Sequence, residues 1–425
     1  MTHTLGRVST LLLAVAILLT GHGLQLSLLP MRAEALGWST SAIGFTGSAY
    51  FVGFVFGCVV VPSVVAKVHH IRTFMVMASI ATAVILGLGL FDNVWTWMAL
   101  RFCTGFAFSG MYMVIESWLS EAAPGNRRGT VLAVYSMISL LAMMVGQSFL
   151  GLADPVDLEL IMVAALIMGL AIIPIGLTRL EAPQGIPRAR FSPRVLARAS
   201  RVAVVCVFCG GLVTGAFWSV GPLVGRAFGL DGAGIGAMMG VAITGGALAQ
   251  FPVGRLSDYT DRRLVIAGMF ALGVLCCLAG WWLAAGHTTL LYLIMLLFGA
   301  TTMPIYALCI VTAADNTDLP LIEIAGGILI MNSLGSILGP ILVAPLMASL
   351  GGEGFFLFSA VGLALGVAWA LYRVAVAERP RHHEQKFMVM PRTSFVATGL
   401  AGPEPVPAAD GAEMAYAAER SRDIQ

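Results

Sequence analysis

Twelve apolar runs, each long enough to cross a lipid bilayer as a helix, constrain this chain more than any other feature. A transmembrane helix needs about 20 predominantly apolar residues, and short polar segments separate the runs. Only 11% of the residues are charged, against about 25% in soluble domains, so the excess apolar surface must face lipid. We therefore predict an all-α polytopic membrane protein. The spans lie near 8–30, 42–65, 73–91, 95–119, 130–152, 160–178, 204–226, 234–254, 264–285, 290–313, 324–348 and 355–375.

The same composition excludes several functional classes. The net charge is +2, from 24 basic and 22 acidic residues, so there is no basic surface for nucleic acid. The two lysines, Lys67 and Lys386, follow alanine and glutamine, whereas an ATP-binding Walker loop needs Gly-Lys-Ser/Thr. Cys206-x-x-Cys209 lies inside an apolar run and is interpreted as one helical turn of small hydrophobic residues. We expect no enzyme activity, no cofactor and no resident metal.

The second half of the chain repeats features of the first. A shift of 192 residues places Gly53 on Gly245, and a shift of 194 places Glu121 on Asp315. Both halves contain six spans in the same orientation, which is the parallel-repeat arrangement of six-plus-six secondary transporters. We predict two pseudo-symmetric six-helix bundles at 1–179 and 201–377, a cytoplasmic central loop at 180–200 and a disordered cytoplasmic tail at 378–425.

Basic residues near the span ends predict the orientation. With the amino terminus in the cytoplasm, 21 basic residues lie on the cytoplasmic side, and Arg32, Arg101 and Arg226 lie toward the other side. Without Arg373 and the six basic residues that follow it the ratio is still 14 to 3. We therefore expect both termini in the cytoplasm.

Between spans 8 and 9 stands Gly254-Arg-Leu-Ser-Asp258-Tyr-Thr-Asp261-Arg262-Arg263. Glycine lets two helices approach closely, aspartate is favourable at a helix amino terminus, and arginine binds carboxylates with a planar fork. The decapeptide resembles the loop signature of the major facilitator superfamily, Gly-x-x-x-Asp-x-x-x-Arg-Arg. The resemblance covers roughly residues 8–375 and implies the major facilitator fold, a secondary transporter that works by alternating access and no cofactor.

Other segments strengthen the resemblance. Arg101-x-x-x-Gly105-x-x-x-x-Gly110 in span 4 is similar to a second family signature, with one extra residue before the second glycine. Glu116-Ser-Trp118-Leu119 and Arg128-Gly129 resemble a bacterial, largely uncharacterised YcaD-like branch. The resemblance therefore implies a cell (inner) membrane location.

Two positions depart from the family pattern. In the first half, Val68 and His69 stand where the family has an acidic residue and a glycine. The Gly-Pro antiporter signature is missing from span 5, where Gln147 follows Gly146. The first departure puts the gate of the first half in question, and the second gives no support for export.

Two charged residues lie inside span 4, where a charge at mid-bilayer costs about 2.5–3.5 kcal/mol on insertion scales. Arg101, Gly105, Phe108, Tyr112 and Glu116 fall on one helical stripe with an arc of about 80°. At about 1.5 Å per residue, Arg101 and Glu116 are about 22 Å apart and cannot pair. Each needs water, substrate or a partner helix. Alternatively, Glu116 is an interfacial carboxylate bonded to the 127–128 arginines, and Arg101 extends to the outer headgroups.

The remaining candidates are polar or aromatic residues in other spans. By resemblance, spans 1, 4, 7 and 10 line the cavity; interhelical hydrogen bonding is the alternative role. Candidates for the substrate or proton path are His22, Gln25, Arg101, Tyr112, Glu116, Trp218, Tyr306 and Asn332. Candidates for the gate are Arg72, Glu121, Arg128, Gly254, Asp258, Asp261, Arg262, Arg263 and Asp315. When the cavity opens outward, we expect Asp258 and Arg262 or Arg263 to meet Asp315.

These observations predict a secondary active transporter, a symporter or antiporter that moves a small molecule and is coupled to protons. It would work as a monomer in contact with membrane lipid. A drug-type exporter and a non-transporting membrane receptor on the same fold are the alternatives. Flux in proteoliposomes distinguishes the receptor, and a change in drug resistance on deletion distinguishes the exporter.

The predicted topology can be tested with reporter fusions. Reporters placed after Arg72, Arg190 or Arg381 should report a cytoplasmic location, because basic residues are retained on that side. Reporters placed after Asp157 or Gly286 should report an external one. An external signal from the 180–200 loop would contradict the whole assignment.

Overall fold

Twelve helices of spanning length and composition make up the part of the chain that the computed structural model describes. The described residues are 2–122, 128–178, 200–283, 287–317, 319–376, 387, 393, 394 and 396. The helices are α1 (Thr2–Ala35), α2 (Thr40–Val68), α3 (His70–Leu90), α4 (Val94–Ala122), α5 (Arg128–Ser148), α6 (Glu159–Leu170 and Ile172–Gly176), α7 (Arg201–Ala227), α8 (Gly232–Tyr259), α9 (Arg262–Leu283), α10 (Thr288–Thr302 and Ile305–Ala314), α11 (Leu321–Leu350) and α12 (Glu353–Val376). The side on which α1 begins and α12 ends is called the basic face, and the other side the opposite face.

The turn between the first two helices is built in the same way in both halves. Gly37 and Gly229, which are repeat mates, adopt positive φ angles of 79° and 83°, a backbone region that glycine enters without steric cost. Two residues later, the Ser39 hydroxyl accepts a 3.3 Å hydrogen bond from an amide of α2, and the Asp231 carboxylate accepts one of 2.8 Å from α8. Both residues are helix N-caps.

Close backbone contacts join equivalent helices in each half. A Cβ atom on Gly105 of α4 would lie 2.8 Å from the Phe54 nitrogen of α2, and one on Gly299 of α10 would lie 2.7 Å from the Ala242 carbonyl carbon of α8. Small residues at such crossings let membrane helices pack by van der Waals contact. Gly105 and Gly299 are related by the same shift of 194 residues as Glu121 and Asp315, so the repeat is visible as packing.

The two halves meet near the opposite face. There, α2 packs against α11, and α5 packs against α8. The Ser48 hydroxyl of α2 donates a 2.7 Å hydrogen bond to the Ile337 carbonyl of α11. A Cβ on Gly232 of α8 would lie 2.7 Å from the Leu150 carbonyl oxygen just beyond α5. In this arrangement the halves are closed against each other at the opposite face.

Two of the spans are interrupted next to a proline. The break in α6 follows Leu170, whose carbonyl would meet the ring of Pro174 four residues later, and the break in α10 falls at Met303 and Pro304. Proline lacks an amide proton and its ring clashes with the carbonyl four residues before it, which bends or breaks a helix. The break in α10 places Met303 on the wall of a central cavity.

Parts of the predicted domain plan lie outside the described residues. These parts are the central loop except for Ser200, and all of the 378–425 segment except Phe387, Thr393, Ser394 and Val396. Those four residues contact the helices, and Ser394 and Val396 are buried. At these positions the structure differs from the predicted disordered tail. Sequence composition and periodicity describe residues that are neighbours along the chain. These four residues are instead held by contacts with helices that are distant in the sequence.

His69 separates α2 from α3 and adopts an unusual backbone conformation. Its φ is 65° and its ψ is 168°, a region that is essentially restricted to glycine. The His69 amide donates to the Val65 carbonyl at 2.8 Å and its carbonyl accepts from the Thr73 amide at 3.1 Å, so both helix ends depend on this geometry. The departure from the family's glycine therefore carries a backbone cost.

We expect His69→Gly to stabilise the protein. The His69 side chain is exposed, and removing Cβ relieves strain of about 1–3 kcal/mol, partly offset by the greater freedom of glycine in the unfolded chain. His69→Ala keeps the Cβ and is the matched control. In detergent, the midpoint temperature of thermal unfolding should rise for His69→Gly and stay unchanged for His69→Ala. An equal gain in both variants would assign the effect to the imidazole instead.

Candidate functional site

A cavity of about 190 Å³ lies between the two halves. Four of the residues selected from the sequence line it: His22, Tyr112, Trp218 and Asn332. Hydroxyl and amide side chains from both halves share the wall with aromatic and aliphatic ones. The cavity is below the range of about 300–1,000 Å³ for drug-sized ligands, so it suits a small solute. The other lining residues are Leu26, Tyr50, Phe51, Phe54, Leu140, Met143, Thr214, Gln250, Met303, Leu329, Ser333, Ser336 and Thr393.

The amino half contributes an aromatic cluster to this wall. The His22 ring lies 3.8 Å from the Phe108 ring centroid and 5.9 Å from that of Tyr50. Tyr112 lies 5.9 Å from Phe108, with the ring planes tilted. Contacts of this kind favour particular ring orientations, so His22 and Tyr112 line the cavity as parts of a packed aromatic cluster.

Arg101 is buried in the protein interior beside this cluster. Its side chain is 7% exposed, and its guanidinium carbon lies 4.8 Å from the Tyr50 ring centroid, a cation–π contact. The Arg101 Nη1 atom and both amide atoms of Gln25 are buried without a hydrogen-bond partner among the described residues. Arg101 therefore does not follow the alternative in which it extends to the outer headgroups. Neither Arg101 nor Gln25 lines the cavity directly.

Glu116 is completely buried, about 9 Å from the basic-face end of α4 at about 1.5 Å per residue. The Tyr135 hydroxyl of α5 donates a 2.8 Å hydrogen bond to its Oε1. The Thr393 hydroxyl donates to Oε1 and the Ser394 hydroxyl to Oε2. Thr393 also lines the cavity, so it connects the Glu116 carboxylate to that space.

Tyr306 and Asn332 come from the carboxy half. Tyr306 is buried in the second segment of α10 but does not line the cavity. Asn332 of α11 is 7% exposed and does line it. The carboxy-half wall of the cavity therefore includes Trp218 of α7 and Asn332 of α11, together with Gln250 of α8 and Met303 at the break in α10, but not Tyr306.

Three of the predicted gate residues form a compact charge cluster at the basic face. Arg262 donates to Asp315 Oδ2 at 2.6 Å and to Asp258 Oδ1 at 3.4 Å. It also donates to the Ser257 and Val311 carbonyls, both at 3.3 Å. The side chains of Arg262 and Asp315 are each 2% exposed. Arg262 therefore ties α8, α9 and α10 together.

All members of the cluster belong to the carboxy half, so it does not join the two halves. It differs from the expected gate in one respect. Arg262 meets Asp315 while the halves are packed at the opposite face, so this pairing is not limited to an outward-open cavity. The other gate residues lie apart from it: Arg263 pairs with Asp261 at 2.8 Å, Arg72 and Glu121 are exposed, and Arg128 begins α5.

Several residues at this site carry no signal in the sequence. Tyr50 and Tyr135 are single tyrosines in apolar helices, and Phe387, Thr393 and Ser394 lie in a segment without hydrophobic period. Nothing in the spacing of these residues indicates that they face Arg101, Glu116 or Asp258. Among the described residues, no group of three or more His, Cys, Asp or Glu side chains could hold a metal ion.

Comparison with known proteins places this architecture. The sequence profile of the Major Facilitator Superfamily matches residues 11–202 and, separately, 203–409. The chain is 27% identical over 342 residues to an uncharacterized MFS-type transporter of Enterobacter sp. (strain 638), covering 79% of this chain and 86% of the relative. It is 28% identical over 356 residues to the uncharacterized MFS-type transporter YcaD of Escherichia coli, covering 82% and 89%.

A solved structure has the same fold. A mutant of the nucleoside transporter NupG superimposes with a TM-score of 0.72 at 14% sequence identity, covering 88% of this chain and 100% of that one. At this identity the likeness concerns the fold. Together with twelve apolar helices around a central cavity, these matches show that the chain is a multi-pass membrane protein and a transporter of the Major Facilitator Superfamily.

Proposed function

We propose that this chain is a secondary active transporter that moves a small organic molecule by alternating access, with protons as the coupling ion. The observation that carries the proposal is a buried carboxylate, Glu116, linked through Thr393 to a cavity between two homologous halves. The halves are packed together at the opposite face, which is the arrangement required of one end state of such a cycle.

Glu116 is suited to exchange a proton during the cycle. A carboxylate accepts hydrogen bonds when it is ionised and donates one when it is protonated. Its partners, which include the Tyr135 and Ser394 hydroxyls, can act as donors or acceptors, so both protonation states find partners. Losing the charge lowers the cost of carrying the group through a water-poor environment. Proton coupling needs a group that has partners in both protonation states and that can lose its charge.

Arg101 is suited to a different task. Its guanidinium keeps its charge at all accessible pH values, and it makes no ion pair within the part of the chain that the structure describes. A buried cation without a counter-ion favours an anionic or strongly polar group nearby. We assign Arg101, with Gln25 and His22, to orienting the polar end of a substrate, and Trp218 to contacting its apolar part.

The membrane orientation and the oligomeric state are proposed from the same observations. We place the basic face in the cytoplasm of a bacterial cell and the protein in the inner membrane, because basic residues concentrate at that face. A monomer is sufficient, since one chain supplies both walls of the cavity. The direction of transport is open to either import or export.

The first test replaces Glu116 with glutamine, which mimics the protonated form. A thermal-shift screen of the purified wild type against small metabolites identifies a ligand, and uptake of that ligand is then measured in proteoliposomes. Glu116→Gln should abolish accumulation driven by a pH gradient but keep exchange of the ligand across the membrane. Glu159→Gln, which changes an exposed carboxylate in the first turn of α6, is the matched control and should behave as wild type.

The outcomes separate the possible roles of Glu116. Accumulation that survives in Glu116→Gln would make it a structural carboxylate, and coupling would have to be sought at His22. A ligand that binds but shows no flux in the wild type would favour a receptor. Increased drug resistance on overexpression, without uptake, would favour an exporter.

A second test concerns the Arg262 cluster, to which we assign the role of holding the basic-face ends of α8, α9 and α10 as one unit. Asp315→Asn removes one partner of a buried ion pair, which typically costs about 3–5 kcal/mol. Asp92→Asn removes the partner of Arg32 from a pair of 3.7 Å in which Asp92 is 55% exposed, and such pairs are worth about 0–1 kcal/mol. The midpoint temperature of thermal unfolding should fall clearly for Asp315→Asn and hardly change for Asp92→Asn. Equal midpoints would show that the cluster does not stabilise the fold.

A further inference from the structure

We propose that four residues that follow α12 in the chain dock between the two halves at the basic face and close the pathway from that side. These residues, Phe387, Thr393, Ser394 and Val396, are called the tail contact residues. The docking is an intramolecular interaction that a transport cycle does not require. Its regulatory consequence rests on the proposed function, but the docking itself does not.

The first contact of the segment is with the amino half. The Thr393 and Ser394 hydroxyls donate to different oxygens of the buried Glu116. Ser394 is 2% exposed and Val396 is 3% exposed, so this part of the segment is enclosed by the protein. Hydrogen bonds to an ionised carboxylate are roughly twice as strong as neutral ones, and two consecutive residues supply a pair of them.

The second contact is with the carboxy half. The backbone amide of Phe387 donates a 2.8 Å hydrogen bond to Asp258 Oδ1. The Phe387 ring covers Gly254, where a Cβ would lie 2.8 Å from the ring Cγ atom. A residue larger than glycine at 254 would therefore displace the ring. Gly254 and Asp258, the glycine and the aspartate of the loop signature, are therefore both in contact with Phe387.

The position of these contacts makes the segment a closure. Glu116 lies on α4 and Asp258 on α8, so the tail contact residues join two helices from different halves on the basic-face side. Thr393 forms part of the wall of the central cavity. The halves already meet at the opposite face, so the cavity would open toward the basic face. The docked residues lie on that side and separate the cavity from it.

The chain is long enough for this docking, and its tether favours it. Ten residues lie between Val376, the end of α12, and Phe387, and the eleven steps along the chain can span at most about 36–40 Å. A tethered segment binds at an effective concentration in the millimolar range for short flexible linkers. Weak individual contacts are then sufficient. While docked, the segment blocks entry of substrate from the basic face and holds Glu116 in one hydrogen-bonded state.

The test measures access to the cavity without any substrate. Ser333, which is buried and lines the cavity, is replaced by cysteine in the full-length chain. The rate at which a hydrophilic maleimide modifies residue 333 is read by mass spectrometry, so the native cysteines do not interfere. Thr393→Val with Ser394→Ala removes both hydroxyls and should speed labelling about tenfold or more, the change expected for losing charge-assisted hydrogen bonds.

The matched control exchanges the two side chains, as Thr393→Ser with Ser394→Thr. Both hydroxyls are retained, so labelling should stay at the slow rate. If the hydroxyl-free variant labels as slowly as the control, or if both label fast, the assignment of these hydroxyls to closure is overturned. Thermal unfolding of each variant confirms that it is folded.

A second measurement detects the docking directly. Phe387 is replaced by p-benzoylphenylalanine, and illumination should form a crosslink to the peptide that contains Gly254 and Asp258. Asp258→Asn weakens the amide contact and should lower the crosslink yield. Absence of this crosslink in the folded protein would overturn the docking. Since neither readout involves transport, failure of the docking and failure of the proposed function can be told apart.

Discussion

The lack of water in the bilayer core is the constraint on which this structure depends. Backbone groups there must bond within their own helix, and helix association must come from close packing instead of from hydrophobic burial. Gly105 and Gly299 supply that packing at equivalent crossings in the two halves. The same constraint acts on charged side chains, because every ionised group away from an interface has to find partners inside the protein. The helices that pack around each such group therefore have to supply its partners.

Arg101 and Glu116 meet this requirement in different ways. Arg101 lies over the face of Tyr50 and keeps a buried Nη1 atom without a partner among the described residues. Glu116 is surrounded by hydroxyls that can reverse their hydrogen bonds. An arginine fixed in its charge can attract a ligand but cannot relax when the ligand leaves. A carboxylate among hydroxyls can change its charge with little rearrangement. The two ends of α4 are therefore suited to binding and to coupling, respectively.

The spans could be predicted because length and apolarity are properties of the chain alone. The predicted span at 95–119 became α4, Val94–Ala122. The cost of a charge in lipid predicted that Glu116 either needs water, substrate or a partner helix or lies at the interface with the 127–128 arginines, and the structure shows it buried. Its partners could not be predicted. Tyr135 comes from another helix, and Thr393 is 277 residues away in the sequence. The pairing of Arg262 with Asp258 and Asp315, and with it the confinement of the cluster to the carboxy half, could be expected from the loop signature and the repeat. Its presence while the halves are packed at the opposite face could not, because a sequence does not state in which conformation two residues touch.

That confinement affects how the conformational equilibrium can be set. Arg262, Asp258 and Asp315 move together with the carboxy half, so their bonds are the same in any rigid-body rotation of the halves and cannot favour one state over another. Only contacts that cross between the halves can do so. Those at the opposite face, such as Ser48 with Ile337, favour closure there. The tail contact residues reach α4 and α8 at the basic face, and in the proposed alternating-access cycle their bonds would be lost or rearranged as the halves rotate. Residues outside the twelve helices would thus shift an equilibrium that the Arg262 cluster leaves unchanged.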